Sequence, residues 1–290
     1  MMSLVPAFPM LHVGASISWT SFTVHWSTVI GIVAFGAVYT WADRRASHPE
    51  TRATAGQKLA FFTSLAVLFV TLNGPLHDLS DYFLFSAHMV QHLILTLIVP
   101  PLMILGTPGA MLRPLLRVRG IGAIARLVTR PVWCFALFNT VLAVWHLPPL
   151  YNSALEHHPV HIFQHLTFIA TSVLMWWPIL SPLPELPRLS YPGQMLYCFL
   201  MVIPMSIVSI YIAMADRVLY PAYAVAPRVL GISPLDDQHY GGLIMWIPGG
   251  IFLYGVMTVV FFKWASRAED STESAQVDWT DGRGSRMWTG

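Results

Sequence analysis

The chain has 290 residues, of which 55% are hydrophobic and only 10% charged, against roughly 25% charged in an ordinary soluble domain. A formal net charge of +2 is too small for a nucleic-acid footprint, and Cys134 and Cys198 form no CxxC or CxC pair, which excludes a disulfide framework and a thiolate metal centre. A mean hydropathy of +0.59 makes this an all-α polytopic membrane protein.

Residues 1–21 carry no Lys or Arg. They lack the basic region of a cleavable signal and are expected to form an extracytoplasmic N-terminal segment, with the first span acting as its own insertion signal. Crossing about 30 Å of hydrocarbon takes roughly 20 helical residues. Seven stretches suffice, near 22–42, 58–76, 83–105, 129–147, 160–180, 192–215 and 238–264, within a membrane domain of residues 22–265. Basic residues follow the first span (Arg44, Arg45, Arg52, Lys58), the third (Arg113, Arg117, Arg119, Arg126, Arg130), the fifth (Arg188) and the seventh (Lys263, Arg267, Arg283, Arg286). Only Arg217 and Arg228 fall on the opposite side, so the positive-inside rule puts the N-terminus outside and the C-terminus in the cytoplasm. Residues 266–290 are polar and without period, and a disordered cytoplasmic tail is expected there.

That topology sorts the histidines. His48 lies in a cytoplasmic connection, whereas the other eleven lie in outer loops or in the outer halves of spans. The third span carries "HMVQHL" and the fifth opens with "HIFQHL", so His88 and His92 on one helix, and His161 and His165 on the other, each stand one turn apart on a single face. A rise of about 1.5 Å per residue puts His88 and His165 at similar depth, so imidazoles from both helices share one layer. His146 closes the fourth span in "WHLPPLY", and His239 opens the seventh in "DDQHYGG". Four imidazoles in two apolar helices at one face are costly as packing alone, and metal coordination accounts for their number and their side together.

Gln91 and Gln164 stand one residue from each histidine face and are candidates to orient the rings. The Gln-His dipeptides at 91, 164 and 238 are 73 and 74 residues apart, as in a repeated two-span unit. Asp236 and Asp237 are expected to cap the seventh span, with Asp237 also a candidate beside the metal. Met201 and Met205 read as core, and Met214 as a candidate soft ligand. His12, His25, His77, His157 and His158 read as loop or interfacial residues.

Neutral imidazole suits copper, zinc, iron and nickel; copper heads the divalent affinity order and is the favoured ion. Haem held between His88 and His165 is the rival, though it leaves the partners one turn away without a role. Boxes of the di-iron oxygenase kind would face the cytoplasm, and these face outward. The stretches "SAHMVQHLILTLIVPPLMILG", "WHLPPLYNSAL", "HIFQHLTFIATSVLMWWPIL" and "DDQHYGGLIMWIPGG", in this order, are similar to the CtaG family of polytopic assembly factors for caa-type cytochrome c oxidase. The resemblance covers roughly residues 20–265. It implies a non-enzymatic protein of the bacterial plasma membrane that helps an oxidase subunit mature by supplying copper, with His88, His92, His146, His161, His165 and His239 as the motif histidines. A b-type haem redox protein and a copper transporter are the alternatives. The outer connection from Arg217 to Asp237, with Pro221, Pro227, Pro234, Tyr220 and Tyr223, is long for a link between spans and is expected to cover the histidines.

Overall fold

A computed structural model describes residues 24–46 and 48–284, with side chains placed for all of these except Glu50 and 269–284. The expected N-terminal segment 1–21, with His12, lies outside the described residues. Among the described residues the regular structure is helical, without a strand.

Helix α1 (Trp26–Arg44) packs on α2 (Ala55–Asn73). Thr54 and Gln57 start α2 with a reciprocal capping box, in which each side chain accepts from the other's backbone N–H. The link between the two helices is held by Asp43, whose carboxylate meets Lys58 Nζ at 2.6 Å and accepts from Ala53 N at 2.8 Å. Pro75 then opens the short α3 (Pro75–Tyr82), at the position where a missing N–H costs nothing.

The central span is α4 (Phe85–Leu93), a π-helical turn at Ile94–Ile98, and α5 (Val99–Gly106), continuous from Phe85 to Gly106. Pro100 has no N–H to offer the carbonyl of Thr96 four residues back, and Trp176 Nε1 donates to that oxygen instead at 2.9 Å. The irregular turn is thereby pinned to the fifth expected span. Around it stand α6 (Gly109–Arg117), α7 (Ile121–Val128), α8 (Pro131–Trp145), α9 (Pro148–Glu156), α10 (His158–Leu180), α11 (Tyr191–Ala213), α12 (Pro221–Val225) and α13 (Pro234–Gly284). The central span contacts α2, α3, α10 and α13, and α11 packs along α13. Two glycines permit the closest approaches: a Cβ on Gly106 would run into the backbone of Phe61, and one on Gly242 into the backbone of Ala213.

Among the described residues helices occupy all seven expected stretches, and they differ in how far length and apolarity alone suit them to a membrane. Five are long and apolar enough: α2, α4–α5, α10, α11 and Pro234–Ala268 of α13. A sixth results if α7 and α8, bent by 81° at their junction, count as one span. The 15 residues of α8 reach only about 22 Å. In α1 the apolar run is shortened by Trp26, Ser27 and Thr28 at one end and by the stretch from Tyr39 to Arg44 at the other. Ile30, Leu59, Val132 and Ile251 are each at least 65% exposed on the outer faces, a surface suited to hydrocarbon rather than water. The backbone of α13 continues as helix through Gly284, past the end of the apolar run and into the stretch expected as a disordered tail.

Candidate metal centre

The two HxxQH pairs meet. On α4 the rings of His88 and His92 lie with centroids 4.3 Å apart, and on α10 those of His161 and His165 lie 4.4 Å apart. Across the helices His92 is 5.6 Å from His165, and His88 is 5.9 Å from His161. One nitrogen each of His88, His92 and His165 falls within 4.8 Å of the other two, and all three residues are buried. His146, just beyond the end of α8, brings its ring to 6.2 Å from His92. Five of the six predicted histidines are thus gathered by three helices. His239 is set apart: its Nε2 donates to Ala215 O at 2.8 Å, and among the described residues no ring contact joins it to the others.

Proton positions follow from the acceptors. A carbonyl can only accept, so His146 carries its proton on Nδ1, 2.6 Å from Leu142 O, and presents a bare Nε2. Tyr223 gives its hydroxyl proton to Ser80 O at 2.8 Å. Its oxygen is then the acceptor toward His88 Nδ1 at 3.2 Å, which leaves the lone pair of His88 on Nε2. That Nε2 faces His92 Nε2 at 2.8 Å. Among the described residues, buried nitrogens of the cluster without a hydrogen-bond partner are His92 Nδ1, His146 Nε2, His165 Nε2 and both of His161. An unpaired buried acceptor costs about 1–3 kcal/mol. A neutral imidazole offers one such nitrogen, so these four rings bring up to four acceptors together, a set of neutral nitrogen donors without thiolate that could hold a cation.

A second layer includes residues that the sequence reading left in loops. Helix α3 turns Asp81 inward, with Oδ2 at 3.4 Å from His77 Nε2 and 3.7 Å from His161 Nε2. His77 touches the rings of His161, His165 and His25, and His25 in turn stacks on the exposed His158. The imidazoles therefore form a ladder from the surface at His158 to the interior at His146. The signal available in the sequence was Pro75 at a helix start, with His77 and Asp81 one turn apart behind it.

The predicted accessory residues take distinct places. Gln91 donates to Thr71 O and to His77 Nδ1, both at 2.9 Å, and so fixes His77 with its Nε2–H toward Asp81. The Gln164 amide is buried without a hydrogen-bond partner. Asp237 reaches α4 rather than its own helix: it accepts from Phe85 N at 2.7 Å, and from the backbone N and hydroxyl of Ser86. It thus caps the helix that carries His88 and His92, while Ser233 and Asp236 cap the start of α13. Gln238 accepts from Leu219 N at 2.6 Å and donates to Arg217 O, holding the foot of the long connection. Met214 is 76% exposed, away from the imidazoles. The connection itself lies on the histidines, with Tyr220 Oη donating to His146 O at 2.9 Å and Tyr223 against His88.

Comparison with known proteins adds the lineage. The chain is 24% identical over 241 residues to proteins of Mycobacterium bovis and Mycobacterium tuberculosis, and 22% identical over 226 residues to one of Mycobacterium leprae, all three described as uncharacterized. These matches take in 77%, 77% and 72% of this chain, but the chain spans only about a third of the relatives' length, at 36%, 36% and 34%. No solved structure matches. The pattern of the cytochrome c oxidase caa3 assembly factor family runs through residues 37–267, and with most of the membrane part matched, the chain belongs to that family.

Proposed function

We propose that the protein takes up copper at the extracytoplasmic face of the bacterial plasma membrane and delivers it to a subunit of a haem-copper cytochrome c oxidase, without turnover of its own. Family membership supports the oxidase as partner. The observation that carries the copper reading is the buried meeting of His88, His92 and His165, with bare imidazole nitrogens around it. In this reading seven helices cross the bilayer, the N-terminus lies outside and the C-terminus in the cytoplasm, and the ladder from His158 inward is the route of entry. Tyr220 and Tyr223 make the connection before α13 a cover over the imidazoles, which a docking oxidase subunit displaces.

Haem fits the arrangement poorly. His88 and His165 stand 6.1 Å apart, but each has a second imidazole beside it, His92 at 4.3 Å and His161 at 4.4 Å, which a macrocycle held by the first two would leave without a role. The test is metal content after purification without an affinity His-tag. The wild type and the His48→Ala control are expected to retain copper in equal amount, and His88→Ala combined with His165→Ala to retain less. Equal copper in all three would overturn the assignment. A sharp reduced absorbance band would point to bis-His haem instead.

A further inference from the structure

Beside His92 and His146 lies a small cavity of about 20 Å³, room for a single water-sized species. Its wall holds Met89 of α4, Met175 of α10, Met201 and Met205 of α11, and Met245 of α13. Five of the chain's 14 methionines thus converge from four helices, each buried to 4% exposure or less. His92 and His146 form the polar part of the same wall, and each has a buried nitrogen without a hydrogen-bond partner, Nδ1 of the first and Nε2 of the second. Gly249 keeps room for one thioether: a Cβ there would stand 3.1 Å from Met205 Sδ.

We propose that this methionine chamber is a second metal site, for a soft monovalent ion of the Cu(I) class. Thioether sulfur and neutral imidazole are the donors that such an ion accepts in low coordination, whereas a divalent ion buried here would lack an anionic ligand. The carboxylate of Asp81 serves the other end of the ladder. Ordinary core packing explains methionine as a filler of irregular gaps, and Met201 Sδ already accepts from Asn139 Nδ2 at 3.5 Å, but packing does not explain two histidines with unbonded buried nitrogens in the same wall. The competing occupant is one water donating to both nitrogens, for which the sulfur atoms would be irrelevant. His92 belongs both to the trio with His88 and His165 and to the chamber wall, so an ion can pass from nitrogen to sulfur donors without returning to solvent. Only that direction of passage rests on the copper-delivery reading; the donor set stands by itself.

The experiment uses full-length protein without a His-tag, with Ag(I) as a redox-inert probe and anaerobic Cu(I) beside it. X-ray absorption of the loaded wild type is expected to show sulfur neighbours. Met201→Leu combined with Met205→Leu, close to volume-conserving, is expected to lower the number of sulfur neighbours and to cost at least about tenfold in Ag(I) affinity. His88→Ala with His165→Ala is expected to keep them. A wild-type spectrum with nitrogen and oxygen neighbours alone overturns the chamber, whether or not the leucine variant folds. Sulfur ligation with normal oxidase maturation in the leucine variant keeps the chamber and overturns its place in delivery.

Discussion

The two HxxQH pairs share a sequence pattern and differ in almost everything around it. On α4 the glutamine is bonded on both sides, the helix start is capped by Asp237, and the helix end is fixed where Trp176 meets Thr96. His88 is held from outside by Tyr223. On α10 the amide of Gln164 has no hydrogen-bond partner, neither nitrogen of His161 has one, and the helix begins at His157 without a side-chain cap. One wall is preorganised and the other is left polar and unsatisfied. A centre that must hold an ion and then release it gains from this asymmetry, because a fixed wall sets the geometry while a loose wall can let go.

The largest expected effect lies where both walls act together. A protonated imidazole has no lone pair, so protons compete with copper for these rings and copper affinity should fall once the pH is low enough to protonate them. In His165→Ala, with one imidazole fewer for protons to occupy, the dependence of affinity on pH should be shallower. An affinity that does not change with pH would point to carboxylate or backbone ligands.

Next comes the contrast between the glutamines. Gln91→Leu strands Thr71 O and His77 Nδ1 and should cost about 2 kcal/mol in thermal or denaturant unfolding of the detergent-solubilised protein. Tyr223→Phe removes the bond to Ser80 O and the acceptor for His88 Nδ1, with an expected loss of about 1 kcal/mol in stability and tenfold in metal affinity. The smallest effect is expected for Gln164→Leu, within about 0.5 kcal/mol of wild type or slightly stabilising, since it deletes a buried amide that makes no bond. If Gln164→Leu proves as damaging as Gln91→Leu, the two walls are equivalent and the asymmetry is lost.

Periodicity made the helices legible, and the side of the membrane made the histidines legible. Seven helices stand where apolar runs lie, and five of six chosen histidines come together. Apolarity by itself does not report reach: α8 is short and bent by 81° from α7, and has the length of a span only together with it. The polar stretch from Pro75 to Tyr82 reads as a loop because its hydropathy is low, yet it folds as a helix against α4 and supplies His77 and Asp81. Its polarity serves the interior. The third Gln-His dipeptide shows the opposite failure, since Gln238 holds the long connection and His239 bonds Ala215, so repetition of a dipeptide did not carry repetition of its role. Met201 and Met205 read as core and are buried, but which cavity they line depends on four helices meeting, which no local pattern records.

The cap that Asp237 places on α4 spans 152 positions of the chain. During synthesis every histidine of the cluster is made before Asp237 is, and α4 enters the membrane with the amides of Phe85 and Ser86 still unmatched. Only when α13 has emerged and docked do these amides find their acceptor. The cluster is therefore completed by a helix translated after all those that carry the imidazoles, and a nascent chain stopped short of α13 holds them on a helix whose first turn is not yet secured.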